Sequence, residues 1–284
     1  MAAQKPVIAL MYDFDRTLSP KDMQEYTFIP TIGMKSQDFW AEANRLAKDQ
    51  KMDRILSYMY LMIKKAKEAN QPIRREDFVK LGSDIALFPG VEDWFGRISQ
   101  YGREHGVIIE HYMISSGLKE IIEGSALGKV FNQIFACEFH YDASHVADWP
   151  LMSVNYTAKT QFLFRINKGV HDLSDDRSLN DYVPESQRRI PFRNMIYIGD
   201  GPTDVPCMRL VKANGGYAVA VYQKSTKPVA EHLLDNNRIN YIAPADYSEG
   251  KELDKLIKLM IQNMATANQL AAKSTSQHEK LEQQ

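Results

Sequence analysis

Cysteine is scarce in this sequence, with only Cys137 and Cys207 among 284 residues. Both lie in apolar surroundings and they do not form a C-x-x-C pair, a pattern that argues against a structural zinc site. We therefore expect both to be reduced core residues of a cytoplasmic protein.

Long hydrophobic runs and a surplus of charge are also missing. The longest apolar runs, such as residues 7–12, fall far short of the roughly 20 residues that a membrane helix needs, and no secretory signal is visible. Lys and Arg number 35 against 36 Asp and Glu, for a formal net charge of −1. Because nucleic acids and bilayers attract basic surfaces, we expect neither as a partner.

The composition is that of an ordinary folded protein, with 44% hydrophobic and 25% charged residues. Apolar strand candidates alternate with helical segments along much of the chain. Strands are predicted at 7–12, 107–114, within 130–138, at 195–198 and at 217–221, and helices from 118, at 157–166 and at 205–212. Strands separated by helices imply right-handed crossovers, so the predicted fold class is α/β, a doubly wound parallel sheet.

Residues 19–87 differ from this pattern, because their apolar residues recur at helical spacings of three and four. We predict that they form a helical cap domain inserted into a core domain of residues 1–18 and 88–264. A hairpin is expected at 138–150 and a surface excursion at 171–189. The last helix is predicted at about 253–264, with a frayed tail at 265–284.

Two carboxylates, Asp13 and Asp15, directly follow the first strand, and Thr17 follows them. Residues two apart on a strand point to the same side, so both carboxylates can face one point. Two carboxylates held that close repel each other unless a cation lies between them. The stretch therefore indicates a cation site at the end of this strand.

Two other strands end in polar residues of the same kind. The strand ending at Ile114 is followed by Ser115-Ser116-Gly117, and the strand ending at Ile198 by Gly199-Asp200-Gly201-Pro202-Thr203-Asp204. In open parallel sheets the ligand crevice lies outside the carboxyl ends of the strands. We expect these acids and hydroxyls to meet at one edge of the sheet.

Four motifs in this order resemble those of the haloacid dehalogenase-like hydrolases. Asp13-Phe14-Asp15-Arg16-Thr17 resembles the D-x-D-x-T loop, Ser115 the second motif, Lys159 the third, and the stretch 199–204 the acidic fourth. The resemblance spans residues 7–221 and implies a Rossmann-like core with a cap. Lys168 remains an alternative to Lys159.

The resemblance also implies the role of each acid. Asp13 is expected to be the nucleophile that forms an aspartyl phosphate, and Asp15 the general acid and base. The Asp13 side chain, the Asp15 backbone carbonyl and Asp200 are expected to bind Mg²⁺, which prefers oxygen ligands. Asp204 is expected to support this site through the metal's water shell or through Lys159.

A second group of residues is expected to bind the phosphoryl oxygens. Ser116 is the alternative to Ser115 if the strand ends one residue later. Arg16 occupies a position where many relatives have glycine, and it can contact the substrate or pair with an acid of the insert. The predicted phosphate-binding residues are Thr17, Ser115, Ser116, Gly117 and Lys159.

The function predicted from these residues is a Mg²⁺-dependent phosphohydrolase that acts on a small phosphorylated metabolite. A phosphotransferase or mutase with the same site and a non-catalytic phospho-ligand binding protein are the alternatives. A carbon–halogen hydrolase is disfavoured, because such enzymes generally lack the second acid, Asp15. Specificity is expected near Asp22, Glu25, Tyr26 and Phe28, and Trp149 is a further candidate for substrate contact.

Overall fold

The computed structural model describes residues 5–26 and 28–282, which form a seven-stranded sheet in the order β4-β3-β2-β1-β5-β6-β7. All neighbouring strands are parallel except β3 and β4, which form an antiparallel hairpin. This confirms the predicted α/β class. The strands are β1 (Val7–Tyr12), β2 (Ile108–Leu118), β3 (Gln133–Tyr141), β4 (Ala147–Met152), β5 (Met195–Gly199), β6 (Tyr217–Tyr222) and β7 (Tyr241–Pro244).

Helices cover both faces of the sheet and fill the insert after β1. In the insert they are α1 (Met23–Tyr26), α2 (Phe28–Thr31), α3 (Ser36–Gln50), α4 (Arg54–Glu68) and α5 (Arg75–Leu81). The remaining helices are α6 (Val91–Glu104), α7 (Lys119–Gly124), α8 (Lys159–Lys168), α9 (Asp176–Asn180), α10 (Val205–Ala213), α11 (Lys227–Asp235) and α12 (Glu252–Glu282). No helix of the described residues is long and apolar enough to cross a membrane.

Strand β1 lies at the centre of the sheet, between β2 and β5, and all six of its residues are buried. A strand covered on both faces has no polar side, which explains its unbroken apolar sequence. Tyr12 at its end pairs in register with Met113 of β2 and Ile198 of β5. The residues that follow these three strands therefore start from one edge of the sheet.

A buried polar network supports the end of β1. The Trp94 indole donates to the Tyr12 hydroxyl at 2.9 Å, and this hydroxyl is 3.0 Å from Nδ1 of His111. Nε2 of His111 lies 3.0 Å from the Ser99 hydroxyl. Burial lowers the pKa of His111 to about 4, so the imidazole is neutral at pH 7.

The insert is attached to the core at several points. The Asp53 side chain caps α4 by accepting from the backbone N–H of Ile55, and its other oxygen accepts from the Asn155 amide at 2.9 Å. Phe78 of α5 stacks on Phe139 of β3, with ring centroids 5.9 Å apart. These contacts hold the helices of residues 23–81 over the carboxyl edge of the sheet. The boundaries of the cap domain at residues 19 and 87 stay a prediction.

Strand β2 continues to Leu118, four residues past its predicted end at Ile114. Ile114 pairs with Phe135 and Leu118 with Cys137, so four steps on β2 oppose two on β3. The extra residues form a bulge, which displaces the serines from the regular ladder. A polar sequence does not distinguish a bulge from a turn, so the end of the strand was predicted too early.

Two further differences concern the C-terminal third. Helix α11 and strand β7 were not predicted, although β7 pairs with β6 and extends the sheet. The predicted frayed tail from residue 265 is wrong for the described residues, because α12 continues to Glu282. This segment has alanine, leucine, lysine and glutamine and lacks glycine and proline. Such residues extend a helix once a buried first half has nucleated it.

Candidate active site

A cavity of about 340 Å³ lies between the carboxyl edge of the sheet and the insert. Its core side includes five of the predicted site residues, and its other side is built mainly by α1, α3 and α4. The predicted residues in its lining are Asp13, Asp15, Ser116, Lys159 and Asp200. The insert adds Asp22, Gln24, Trp40, Ala43, Asn44, Arg54, Ile55 and Tyr58.

Three carboxylates from two neighbouring strand ends form the acidic cluster of this cavity. Asp13, Asp200 and Asp204 each offer one oxygen within 4.8 Å of the other two. The pairing of β1 with β5 brings them together, because the Asp13 backbone N–H donates to the Ile198 carbonyl at 3.0 Å, two residues before Asp200. The predicted meeting of distant acids at the sheet edge is thus present in the structure.

Lys159 lies inside this cluster. Its Nζ is 2.9 Å from Asp13 Oδ1 and 2.8 Å from Asp204 Oδ1, and the whole side chain is buried. Burial alone would lower the pKa of Lys159, but the two carboxylates raise it, so the ammonium stays charged. Lys168 instead donates to the carbonyls of Leu179 and Asp181 at the other end of α8. Of the two lysines, only Lys159 contacts the acids.

Asp204 has one oxygen in use and one without a partner. Oδ1 accepts hydrogen bonds from Lys159 and from the Tyr197 hydroxyl, both at 2.8 Å. Oδ2 is buried and has no hydrogen-bond partner among the described residues. A buried, unpartnered carboxylate oxygen is costly unless a ligand completes its coordination. With Asp13 and Asp200 nearby, this donor set fits a hard divalent cation or its bound water.

Gly199 makes room for the second oxygen of Asp204. A Cβ on Gly199 would lie 2.4 Å from Oδ2 and 2.6 Å from Cγ of Asp204. Any larger residue at this position would displace the carboxylate. The glycine that precedes Asp200 is therefore required for the close approach of β5 to Asp204.

Burial and mutual repulsion shift the titration of the clustered acids. Burial, with the Asp204 charge second, raises the pKa of Asp13 to about 7 in spite of the contact with Lys159. Burial, then Asp204 and Asp13, raise the pKa of Asp200 to about 8. The cluster therefore has three carboxyl groups and one neutralising cation, Lys159. A divalent cation would favour the ionised forms.

Asp15 is separate from this cluster. Its Oδ1 accepts from the Met23 backbone N–H at 2.8 Å, at the first residue of α1. Burial, then the charges of Asp22 and Asp13, raise the pKa of Asp15 well above its ordinary value. A raised pKa favours the protonated form of this carboxyl group. The Asp15 side chain is not among the clustered metal-binding candidates of the described residues.

The two serines of the β2 bulge have different surroundings. Ser116 lines the cavity, but its hydroxyl donates to the Val154 carbonyl at 2.7 Å. Ser115 is buried behind the lining, and its hydroxyl accepts from the Gly117 backbone N–H at 2.9 Å. Among the described residues, no acceptor takes the Ser115 hydroxyl proton, so this donor is free for a ligand.

Thr17 is fully buried and does not line the cavity. Its carbonyl accepts from the Tyr247 hydroxyl at 2.8 Å, and its own hydroxyl has no partner within the described ranges. Thr17, Ser115, Gly117 and Asp204 therefore stand behind the cavity surface, whereas the other predicted site residues form it.

The backbone of Arg16 has a φ of 60°, a left-handed conformation that glycine adopts more readily than other residues. For an L-residue this left-handed conformation costs on the order of 1 kcal/mol relative to glycine. Its guanidinium pairs with Asp22 at 2.9 Å, with side-chain exposures of 49% and 26%. An ion pair this exposed contributes at most about 1 kcal/mol. The pairing with an acid of the insert, left open by the sequence, is thus present without a net gain in stability.

The residues expected to govern specificity fall in different places. Asp22 lines the cavity, whereas Phe28 is buried in the insert against Phe39 and Phe78. The side chain of Tyr26 lies outside the described residues. Trp149 is 70% exposed on β4 and does not line the cavity.

The cavity wall that α3 and α4 contribute was not predicted from the sequence. Trp40 and Tyr58 contact edge-on with centroids 5.8 Å apart, and the Tyr58 hydroxyl donates to the Ser116 carbonyl at 2.7 Å. These residues share the apolar helical spacing of the insert, which does not reveal which of them faces a cavity. The available signal was the position of two polar residues, Asn44 and Arg54, beside the apolar residues of these helices.

Comparison with known proteins agrees with this architecture. A family model described as haloacid dehalogenase-like hydrolase matches residues 10–209, which include the end of β1, the insert, β2 and the 199–204 loop. The chain therefore belongs to the haloacid dehalogenase-like hydrolase family. A protein of Borreliella burgdorferi described as uncharacterized is 28% identical over 280 residues, or 89% of this chain and 96% of its own length.

Solved structures of several phosphatases share the fold. A substrate-bound phosphoserine phosphatase superimposes with a TM-score of 0.57 at 15% identity, covering 90% of this chain and 99% of its own. A hydrolase of the same family from Salmonella enterica serovar Typhi gives 0.57 at 16% identity, covering 90% and 72%. Cytosolic 5'-nucleotidase IIIB bound to cytidine gives 0.53 at 14% identity, covering 92% and 86%. At these identities the likeness shows the fold.

Proposed function

We propose that this protein is a Mg²⁺-dependent phosphohydrolase that cleaves a small phosphorylated metabolite through an aspartyl phosphate on Asp13. The observation that carries the proposal is the position of Lys159 between Asp13 and Asp204, at the edge of a cavity that Asp15 also lines. A nucleophile, an acid and a fixed cation are thus within one site. The phosphatases that share the fold support the same reaction class.

In the first step, an Asp13 carboxylate oxygen attacks phosphorus as the bond from phosphorus to the substrate's alkoxy oxygen breaks. Asp15 donates its proton to the departing oxygen, which leaves as a neutral alcohol. The raised pKa of Asp15 supports this role, because burial and then the charges of Asp22 and Asp13 favour its protonated form.

In the second step, a water molecule attacks the phosphorus of the aspartyl phosphate. Asp15, now ionised, accepts a proton from this water, and the bond between phosphorus and the Asp13 oxygen breaks. Inorganic phosphate leaves, and both carboxyl groups return to their starting states. Splitting the transfer into two displacements lowers the barrier of each.

Asp13, Asp200 and the Asp15 backbone carbonyl would hold the Mg²⁺, with Asp204 supporting its water shell. The bound ion would neutralise the repulsion between the Asp13 carboxylate and an anionic phosphate. Lys159 and the free Ser115 hydroxyl are the candidates to hold the phosphoryl oxygens, with Thr17, Ser116 and the Gly117 N–H as further predicted contacts.

An assay of released phosphate from nitrophenyl phosphate tests this proposal. Turnover is expected with Mg²⁺ and is expected to stop with a chelator. The Asp13→Asn protein should remain folded by circular dichroism and lose turnover by at least a hundredfold. Asp172→Asn is the matched control, because this carboxylate is exposed in the 171–189 segment. Turnover retained by Asp13→Asn would refute the nucleophile.

The same assay separates the alternatives. A phosphotransferase would release little phosphate in water and would pass the group to an added sugar alcohol, measured as a new phosphomonoester. A binding protein would form no hydroxylamine-labile phosphoenzyme with any divalent metal. If Asp13 is the residue that is phosphorylated, the mass of the wild-type protein trapped with substrate would increase by one phosphoryl group, whereas that of Asp13→Asn would not.

A further inference from the structure

The cavity contains three cations, and their partners differ. Lys159 is placed between the buried carboxylates of Asp13 and Asp204, at 2.9 and 2.8 Å, so its charge is already matched by the cluster. Arg16 and Arg54 also line the cavity but lie outside that cluster. Among the described residues, neither guanidinium makes a hydrogen bond or ion pair with Asp13, Asp200 or Asp204, so both can bind an anion other than the transferred phosphoryl group.

Arg54 has no partner of its own. It is the first residue of α4, it is exposed, and its side chain makes no hydrogen bond or ion pair with any residue in the part of the chain that the structure describes. Its backbone is nevertheless held firmly, because the preceding Asp53 caps α4 and accepts from Asn155 of the core. An unpaired cation on a fixed helix end at a cavity wall is free to bind an anion.

Arg16 is also unexplained by the fold. Its left-handed backbone, with φ of 60°, favours glycine, and its pair with Asp22 is too exposed to offset that preference. It directly follows Asp15, the proposed acid for the departing oxygen, so it stands beside the leaving-group side of the cavity. Only one guanidinium nitrogen of Arg16 donates to Asp22, so its other N–H groups can bind a ligand.

We propose that the substrate is a phosphomonoester whose alcohol portion carries a second anionic group, a carboxylate or a further phosphate, bound by Arg16 and Arg54. This inference rests on the proposed phosphohydrolase function. Guanidinium groups bind both kinds of anion through paired N–H donors. Trp40, Ile55 and Tyr58 form an apolar wall for the carbon skeleton, and the volume of about 340 Å³ limits the substrate to a small molecule.

The experiment compares four phosphomonoesters. Nitrophenyl phosphate and glycerol phosphate have uncharged alcohols, whereas phosphoglycerate carries a carboxylate and fructose bisphosphate a second phosphate. The wild-type protein is expected to show a higher kcat/KM for one of the two acidic substrates, which identifies the kind of anion. In Arg16→Gln and in Arg54→Gln, the ratio of kcat/KM for that substrate to kcat/KM for glycerol phosphate should fall about tenfold or more.

Matched controls remove the same charge elsewhere. Lys51→Gln is the control for Arg16, because Lys51 also has a left-handed backbone, with φ of 51°, but does not line the cavity. Arg45→Gln is the control for Arg54, because it removes an exposed arginine of α3 that does not line the cavity. Both should leave the ratio unchanged. Arg16→Gly should fold at least as stably as the wild type and still lower the ratio, which separates recognition from stability.

The proposal is overturned if the wild type does not prefer either acidic substrate, or if either arginine variant leaves the ratio unchanged. Calorimetric binding of the same four compounds to the Asp13→Asn protein gives the comparison without turnover. A protein that binds the acidic compounds through the arginines but hydrolyses none would retain this inference and refute the phosphohydrolase function. A protein that hydrolyses all four compounds without a preference would support the phosphohydrolase function and refute this inference.

Discussion

The Tyr197 hydroxyl donates a 2.8 Å hydrogen bond to Oδ1 of Asp204, the same oxygen that accepts from Lys159. This shared acceptor turns the other oxygen, Oδ2, toward the space beside Gly199, where it has no partner within the described residues. Tyr197 is buried on β5 and does not line the cavity. It is therefore a positioning residue for Asp204.

Replacing Tyr197 with Phe should weaken Mg²⁺ binding. The variant lacks only the hydroxyl, so Asp204 can rotate away from its present orientation while the core packing is kept. We expect the Mg²⁺ concentration for half-maximal activity to rise by about tenfold, with the substrate KM changed little. Calorimetric titration of Mg²⁺ into the substrate-free protein should show the same loss.

Tyr112→Phe is the control for this change, because the Tyr112 hydroxyl also donates to a carboxylate, that of Glu110, elsewhere on the sheet. It should lower thermal stability without affecting Mg²⁺. If Tyr197→Phe and Tyr112→Phe lose only stability, and to the same extent, Tyr197 does not position the metal site.

Replacing Gly199 with Ala should disrupt the site through Asp204. The new Cβ would lie 2.4 Å from Asp204 Oδ2, so the carboxylate must move and its contacts with Lys159 and Tyr197 must stretch. We expect kcat to fall at least tenfold. The measurement is steady-state kinetics at saturating Mg²⁺.

Gly201→Ala provides the comparison, since a Cβ there meets nothing within 4 Å and the φ of −164° is open to any residue. Because Gly201 lines the cavity, we expect Gly201→Ala to lower kcat somewhat. The loss should be smaller than that of Gly199→Ala. Equal losses in the two variants would contradict the role given to Gly199.

Lys159→Met should lose both activity and stability. Asp13 and Asp204 would lose the buried ammonium between them, and an uncompensated buried charge costs about 3 kcal/mol or more. Chemical denaturation should show this loss, and phosphate release should fall at least a hundredfold. Added Mg²⁺ should recover part of the stability, because the proposed metal site includes Asp13 and Asp204.

Lys168→Met tests whether this effect is specific. Lys168 contacts only backbone carbonyls of the 179–181 segment among the described residues, so its variant should keep turnover. A Lys159→Met protein that hydrolysed substrate at the wild-type rate would remove the lysine from the mechanism.

The buried His111 should make the folded state sensitive to acid. Its folded pKa of about 4 lies below the ordinary value of 6.5, so the unfolded chain binds a proton in that interval and the folded protein does not. Stability contributed by the neutral imidazole is therefore present above pH 6.5 and is lost as the pH falls toward 4, by about 3 kcal/mol in total.

Denaturant unfolding at several pH values measures this dependence. His111→Gln should be less stable than the wild type at pH 7 and should lose less on acidification. His278→Gln, at an exposed position of α12, should follow the wild-type curve. A His111→Gln curve parallel to the wild type would show that the imidazole is not responsible.

The α/β class, the strand β1 and the meeting of acids at the sheet edge were predictable from sequence, because strands alternate with helices and the acids directly follow the strands. The unbroken apolar run of β1 predicts a strand covered on both faces, and Asp13 directly follows it. The 199–204 loop is equally local. The continuation of α12 beyond residue 265 and the bulge at Ser115 were not predictable, because polar residues allow both ordered and irregular backbone.

The sequence by itself determined which acids and hydroxyls directly follow the strands of the sheet, and in what order. This is so because strand alternation and turn residues are properties of a few neighbouring positions. Only the tertiary structure decided that Lys159 rather than Lys168 meets Asp13, that Tyr197 fixes Asp204, and that Arg54 faces the cavity. These relationships join residues far apart in the chain. They depend on how helices pack over the sheet edge, and packing is a property of the whole fold rather than of any one segment.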